Sequence, residues 1–152
     1  MKCLSPKKDN LVEKWAFATE QFLDFACEKW AVMYMKEGSV YVTSPRQKKW
    51  YIPAGKMFFI PPNLPVHICG KKTGNLIICR MEGIDEVTVS TTPSGIGHKE
   101  IIMLYVDRSI RYFFPDFLMN YDCGLKCRMY VESKLDELLF LIRHCNSYLT
   151  TH

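Results

Sequence analysis

Few residues in this chain are of a type that does chemistry. His67, His98 and Glu82 are the acid–base candidates near the middle of the chain, and no spacing links them into a pair or triad. The seven cysteines are an odd number at irregular intervals. Cys123 and Cys127 stand close together, but a structural zinc site takes four ligands and no second pair completes one. Reduced thiols in a cytoplasmic protein are therefore expected. Cys69 and Cys79 flank the stretch KKTGN and are expected to face each other across a hairpin as core or partly buried thiols.

Composition excludes more than it assigns. With 152 residues, 48% of them hydrophobic and 24% charged, the chain suits one globular domain with a real core. The net charge of +4 is mild. Its basic pairs (Lys7 and Lys8, Lys48 and Lys49, Lys71 and Lys72) are scattered, which favours solvated turns over a nucleic-acid surface. No apolar run approaches the roughly 20 residues of a membrane helix. Residues 1–10 lack the apolar h-region of a signal peptide and read as an N-terminal arm.

The elements that must position these side chains are mainly β. Residues 11–30, LVEKWAFATEQFLDFACEKW, fit one helix by period or two strands by content, and strands are favoured because the region that follows is β. WAVMYMK is a strand, Glu37-Gly38 reads as a tight turn, and SVYVT as its hairpin partner. WYI, MFFI, VHICG and LIICRME follow as strands, with turns at PAGK, PPNLP and KKTGN. Residues 85–89 are expected to continue the sheet, 91–98 to form a loop, and KEIIMLYV to form a last strand or the run into a helix. Turn signals at short, regular spacing argue an antiparallel sandwich or barrel.

Two helices are expected after the sheet. Over 109–121, Ile110, Phe113, Phe114, Phe117, Leu118 and Tyr121 form one apolar face, with Ser109 as N-cap, Gly124 as the residue past the end, and Pro115 kinking or splitting the helix. Over 133–149, with Ser133 as N-cap, Leu135, Leu138, Leu139, Ile142, Cys145 and Leu149 make a stripe that Phe140 and Leu141 widen, so little of this helix is expected to face water. The apolar area of the two helices exceeds one packing contact. A homodimer through the face built from Ile110, Phe113, Phe114, Phe117, Leu118 and Tyr121 is expected from that excess.

Gly55, KMFFI and Pro61-Pro62-Asn63 together resemble the second motif of the cupin superfamily, with Asn63 in a glycine place. The resemblance implies an antiparallel jelly-roll barrel, or double-stranded β-helix, over residues 1–107 with its arm. The helical pair of 108–152 would pack on it as one structural unit. It also places the family's metal-binding His on Val66, with His67 one residue late and so on the opposite face of the strand. The family's acidic ligand falls on Ala31, and its His-x-His pair near Phe25 and Cys27. One thiol does not make a metal site. No metal, no other cofactor and no metal-dependent catalysis are expected.

The positions sharing that inward parity are Phe25, Cys27, Ala31, Met33, Met35, Trp50, Ile52 and Val66. They are the candidate lining of an effector pocket, with room around Ala31 where cupins hold a metal. The alternative is that the same side chains fill the barrel. Tyr34, Tyr41 and Tyr51 fall on the outward parity.

The order of barrel, aromatic helix, cysteine-containing link and a helix from Lys134 to Arg143 resembles the N-terminal effector and dimerisation domain of AraC-type transcriptional regulators. The resemblance covers roughly residues 28–149. It implies a small-molecule sensor that does not catalyse. DNA would be read only by a further half with helix-turn-helix units, which the chain does not include. A piece of a longer regulator or a stand-alone sensor is expected. The alternatives are a small cupin enzyme, an isomerase or dioxygenase, and direct nucleic-acid binding through the basic turns.

Overall fold

The structure is a computed structural model that describes residues 11–81, 87–89, 100–146 and 149–151. The arm, Glu82, Asp85, His98 and the 91–98 loop fall outside the described residues. The chain is mainly antiparallel β with two C-terminal helices, as expected. The ambiguous segment 11–30 is two strands, β1 (Val12–Phe17) and β2 (Phe22–Phe25).

The largest departure from the sequence reading lies in the next strands. β3 runs unbroken over Trp30–Thr43 and β6 over Val66–Met81. Glu37-Gly38 and KKTGN are therefore not hairpin turns but bends within two long strands. The bends lie against each other, because β3 and β6 pair along their whole length with register shifts between Met35 and Val40. Turn-type residues appear here because the corner needs them: Gly38 takes φ 78°, and Gly74 sits against the backbone of Glu37. Cys69 and Cys79 consequently lie on one strand. Cys69 pairs with Tyr41 and Cys79 with Val32, so the two do not face each other.

The bends fold the sheet into two layers. The first has the order β1, β6, β3, β5 (Met57–Ile60) and β8 (Ile102–Leu104). The second is made by β2, the first half of β6, the second half of β3, and β4 (Lys49–Pro53). The layers close over a buried cluster that includes Met33, Met35, Val42, Phe58, Ile68 and Leu76, which is the interior of a jelly roll. The expected turns at 53–56 and 61–65 are present. Gly55 has φ 90° and Asn63 φ 61°, so Asn63 adopts the left-handed conformation that asparagine tolerates in a glycine's place. β7 (Val87–Val89) is a strand, but it pairs with β9 (Leu149–Thr151) in a separate two-stranded sheet.

A second cluster lies on the outer side of the first layer, where the helices sit. Trp30, Val32, Phe59, Ile77 and Cys79 from the sheet meet Ile110, Phe113, Phe114 and Phe117 of α1 (Arg108–Asp122) and Val131, Leu135, Leu138 and Ile142 of α2 (Arg128–Cys145). Every residue of β5 is buried because one of its faces points to each cluster. Tyr34, on the outward parity as expected, stacks on Phe114 with ring centroids 4.1 Å apart.

Helix boundaries differ from the sequence reading in three places. α1 is capped by Asp107, not Ser109: Asp107 Oδ1 accepts from the Ile110 N–H at 3.0 Å, and the Ser109 hydroxyl donates to the same oxygen at 2.8 Å. α1 also continues through Pro115 without splitting. Pro115 lies on the exposed face, so the Arg111 carbonyl it leaves unpaired is on the water side while the buried aromatic face holds the helix together. Its end follows the reading: Gly124 has φ 115°, its N–H donates to Tyr121 O at 3.1 Å, and the Leu125 N–H donates to Asn120 O at 3.0 Å. α2 begins after Cys127 rather than Ser133 and ends at Cys145, so Leu149 belongs to β9 instead. Val131, fully buried, extends the apolar stripe one turn earlier than expected.

Asn146 closes α2 onto the strand side. Its carboxamide is fully buried, accepts from the Tyr105 N–H at 2.7 Å, and donates to Tyr105 O at 3.1 Å and Ile142 O at 3.0 Å. Nearby, burial and then the Asp107 carboxylate push the Cys145 thiol up, which keeps it protonated.

The Asp107 cap gives a pH dependence with a definite sign. The Ile110 N–H holds its carboxyl below the ordinary range, with help from Ser109. A carboxyl lowered in the folded state contributes stability that is complete above its unfolded pKa and fades as pH falls through the folded value. Asp107→Ala is expected to cost about 0.5–2 kcal/mol at neutral pH. The difference from the parent chain should shrink in acid, as read by urea unfolding at both pH values. An unchanged difference at low pH would mean that charge plays no part in the cap.

Candidate functional site

The inward parity read from the sequence holds. Phe25, Ala31, Met33, Met35, Ile52 and Val66 belong to the buried interior cluster, and Cys27 and Trp50 pack against it partly buried. Ala31 is fully buried in the same cluster as Phe58, Ile60 and Ile78. Within that core the Nε1 of Trp50 is buried without a partner.

A pocket opens at one end of the second layer. A cavity of about 440 Å³ is lined by Asp24, Phe25, Ala26, Thr43, Ser44, Pro45, Gln47, Pro65, Val66 and His67. It forms where three strands stop or start together: β2 ends at Phe25, β3 ends at Thr43 and β6 begins at Val66. Of the eight residues proposed from sequence, only Phe25 and Val66 line it. They supply part of its apolar wall, and Thr43, Ser44 and Gln47 supply polar groups. The β3–β4 loop that carries these is closed by the Ser44 N–H to Lys48 O at 3.0 Å and the Gln47 N–H to Ser44 O at 2.9 Å. Gln47 takes φ 65° there.

Behind this wall sits a buried carboxylate. Glu100 is 7% exposed. It accepts from the Ser44 hydroxyl at 3.1 Å and from the Ile101 N–H at 3.0 Å. Those bonds orient Ser44 from behind, so its hydroxyl already has a fixed acceptor.

The one-residue offset between Val66 and His67 does what the strand period demands. Val66 is buried in the interior, and His67 is on the outer face at the cavity rim. His67 Nδ1 lies 2.7 Å from Asp24 Oδ1, and its ring lies 5.0 Å from that of Phe22. Both partners are substantially exposed, so the pair is screened by water. With Nδ1–H donating to Asp24, Nε2 is the nitrogen left to accept a proton or a ligand donor.

Asp24, Ser44, Gln47 and Glu100 were not singled out from sequence. Asp24 meets His67 only because β2 pairs with β6 in that register. Glu100 meets Ser44 across 56 residues of chain. No local pattern carries either contact.

The cupin metal positions do not fit a metal here. Phe25, Ala31 and Val66 have no ligating atom, and Cys27 offers one thiol. Among the described residues no group of three His, Cys, Asp or Glu side chains converges. Also among the described residues, no helix is long and apolar enough to cross a membrane.

No protein-family model matches the chain, and no curated protein matches it. Among solved structures, the chain is similar to a DUF861 family protein from Thermotoga maritima, at 20% identity over 45% of this chain and 77% of that one, with a TM-score of 0.41. It is similar to an RmlC-like cupin from Shewanella frigidimarina, at 23% identity over 47% and 67%, with a TM-score of 0.41. It is also similar to a cupin superfamily protein from Desulfitobacterium hafniense, at 15% identity over 49% and 72%, with a TM-score of 0.44. Overlaps of that extent carry nothing about function, and the jelly roll stands on its own strand order.

Proposed function

We propose that the chain is the ligand-sensing and dimerisation domain of an AraC-type transcriptional regulator, non-catalytic and free of metal, working in the cytoplasm. The observation that carries this reading is the cavity at the end of the second layer. Its volume lies within the roughly 300–1,000 Å³ of small-molecule sites, and it combines an apolar wall with a few polar groups. This reading puts the effector site at the mouth, with Phe25 and Val66 in its wall.

The dimer part of the reading needs a different surface from the one first expected. Ile110, Phe113, Phe114, Phe117 and Leu118 are buried against the chain's own sheet, and Tyr121 is partly buried there. What the helices offer outward is Tyr112 and Met119 on α1, 70% and 59% exposed, and Met129 and Phe140 on α2, 82% and 67% exposed. Each pair repeats at helical spacing, and Phe140 corrects the expectation that it widens a covered stripe. We take these as the contact with a second copy.

Two measurements test the reading. Sedimentation equilibrium should give a dimer that Met129→Asp with Phe140→Asp converts to monomer. A parent chain that is monomeric at every concentration would remove the dimer from the proposal. Thermal unfolding against a panel of monosaccharides and small urea-like compounds should show one that raises the midpoint. Ala26→Trp, which fills the cavity mouth, should abolish that rise. A rise that survives Ala26→Trp would place the effector elsewhere.

The Asp24–His67 pair favours a second reading, a metal-independent cupin enzyme such as an isomerase, with Nε2 of His67 as the proton acceptor. Turnover of a cavity ligand that His67→Gln abolishes while binding persists would decide for it. Binding without turnover in the parent chain decides for the sensor.

A further inference from the structure

Two lysines from basic pairs that are far apart in the sequence, Lys49 and Lys71, meet on one face. The helices cover the outer side of the first layer, and the outer side of the second is a separate surface. Across it Phe22, Cys69, Tyr41 and Tyr51 stand in one row: Phe22 pairs with Cys69, Cys69 with Tyr41, and Tyr41 with Tyr51. Phe22 is 61% exposed and Tyr51 46%. The Tyr41 and Tyr51 rings lie 5.4 Å apart, and Phe22, two strands from Tyr41, stands about 10 Å away by strand spacing.

Two ammonium groups from distant parts of the chain converge on this row. Lys49 Nζ lies 4.6 Å above the Tyr41 ring centroid, and Lys71 Nζ lies 5.5 Å from it. In the neighbouring row Asp24 is paired with His67.

We propose that this face binds single-stranded nucleic acid, with bases stacking on Tyr41, Tyr51 and Phe22 and phosphates held by Lys49 and Lys71. Every base has a flat π face, so a row of exposed rings on a sheet accepts bases without reading sequence. The lysines supply the charge that a polyanion needs. In the free protein they rest over Tyr41, a weak contact at an exposed site. A base that takes the ring face frees each ammonium for the adjoining phosphate. A neutral glycan would make no use of the lysines, and an acidic peptide offers no flat partner for three rings.

The test is fluorescence anisotropy of a labelled oligothymidylate with the whole chain, titrated over a range of salt. Binding should weaken as salt rises. Lys49→Ala with Lys71→Ala should flatten the slope of log K against log salt by about 0.7 per lysine. Tyr51→Ala and Phe22→Ala, both at exposed positions, should weaken binding about tenfold each with the slope unchanged. Tyr51→Phe keeps the ring and should keep the affinity, which separates stacking from a folding defect. Absence of binding at low salt overturns the proposal. So does binding that heparin matches and that Tyr51→Ala leaves alone, since the face would then be a patch for any polyanion. Neither outcome touches the cavity or dimer experiments.

Discussion

Gly74→Ala should cost about 3 kcal/mol or more, the upper end of what overpacking a tight site costs. A Cβ at Gly74 would overlap the carbonyl carbon and oxygen of Glu37 and lie 2.7 Å from Gly38 Cα. All three atoms are backbone, so no side chain can swing aside to make room. They are also the corner at which β3 bends, and Gly74 pairs with Phe17 of β1 on its other side. Relief would require the two longest strands to separate at the point where the sheet turns from one layer to the other. The urea midpoint of Gly74→Ala reports the cost. Gly55→Ala is the control for glycine in general, because nothing lies within 4 Å of its added Cβ. Its own penalty comes from φ 90° alone. A Gly74→Ala midpoint equal to that of Gly55→Ala would mean that the corner is looser than the contact distances demand.

Phe114→Ala should remove about 3–5 kcal/mol, as large-to-small changes of buried aromatics do. Phe114 is fully buried, lies parallel to Tyr34 at 4.1 Å and meets Phe113 edge-on at 5.3 Å. It is one of the α1 side chains that meet the outer face of the first layer. Losing it opens a hole under the helix and uncovers Tyr34, whose hydroxyl burial pushes up in pKa against the pull of Arg111. Against a total stability of about 5–15 kcal/mol, the variant should be marginal at physiological temperature. Asp116→Ala, two residues away on the exposed side of the same helix, should stay within about 0.5 kcal/mol of the parent in a denaturant titration. The comparison also discriminates between roles. If Phe114 were an intersubunit contact, its loss would appear as protein-concentration dependence of the midpoint rather than as a constant drop.

How much of this was legible in the sequence follows from the range of each interaction. Strand content and inward parity were readable because they are set by neighbours two residues apart: Ala31, Met33 and Met35 all face the interior. The Gly124 stop was readable because its bonds close within the last turn of α1. The bends were not. Glu37-Gly38 and the stretch through Gly74 carry turn-forming residues because they oppose each other, and a turn and a crossed bend ask for the same residue types. Asp107 and Ser109 are both good caps, and only the start of the apolar contact with the sheet selects the earlier one. The aromatic face of α1 was correctly traced, but its partner was not, since a sheet and a second subunit ask for the same apolar stripe. The cavity at the end of the second layer was not read, because parity says which way a side chain points and not where open space lies. Its wall, from Asp24 to His67, depends on strand pairings that only the folded chain displays.

The two bent strands have one more consequence. β3 begins at Trp30, beside Met81 beneath the helices, and ends at Thr43 on the cavity. β6 runs the opposite way, from Val66 on the cavity to Met81. The mouth and the helix-bearing wall are thus opposite ends of the same pair of hydrogen-bonded ribbons. A single pair of strands therefore frames both the mouth and the wall that the helices cover, and the corner at Gly38 and Gly74 fixes how far apart the two lie.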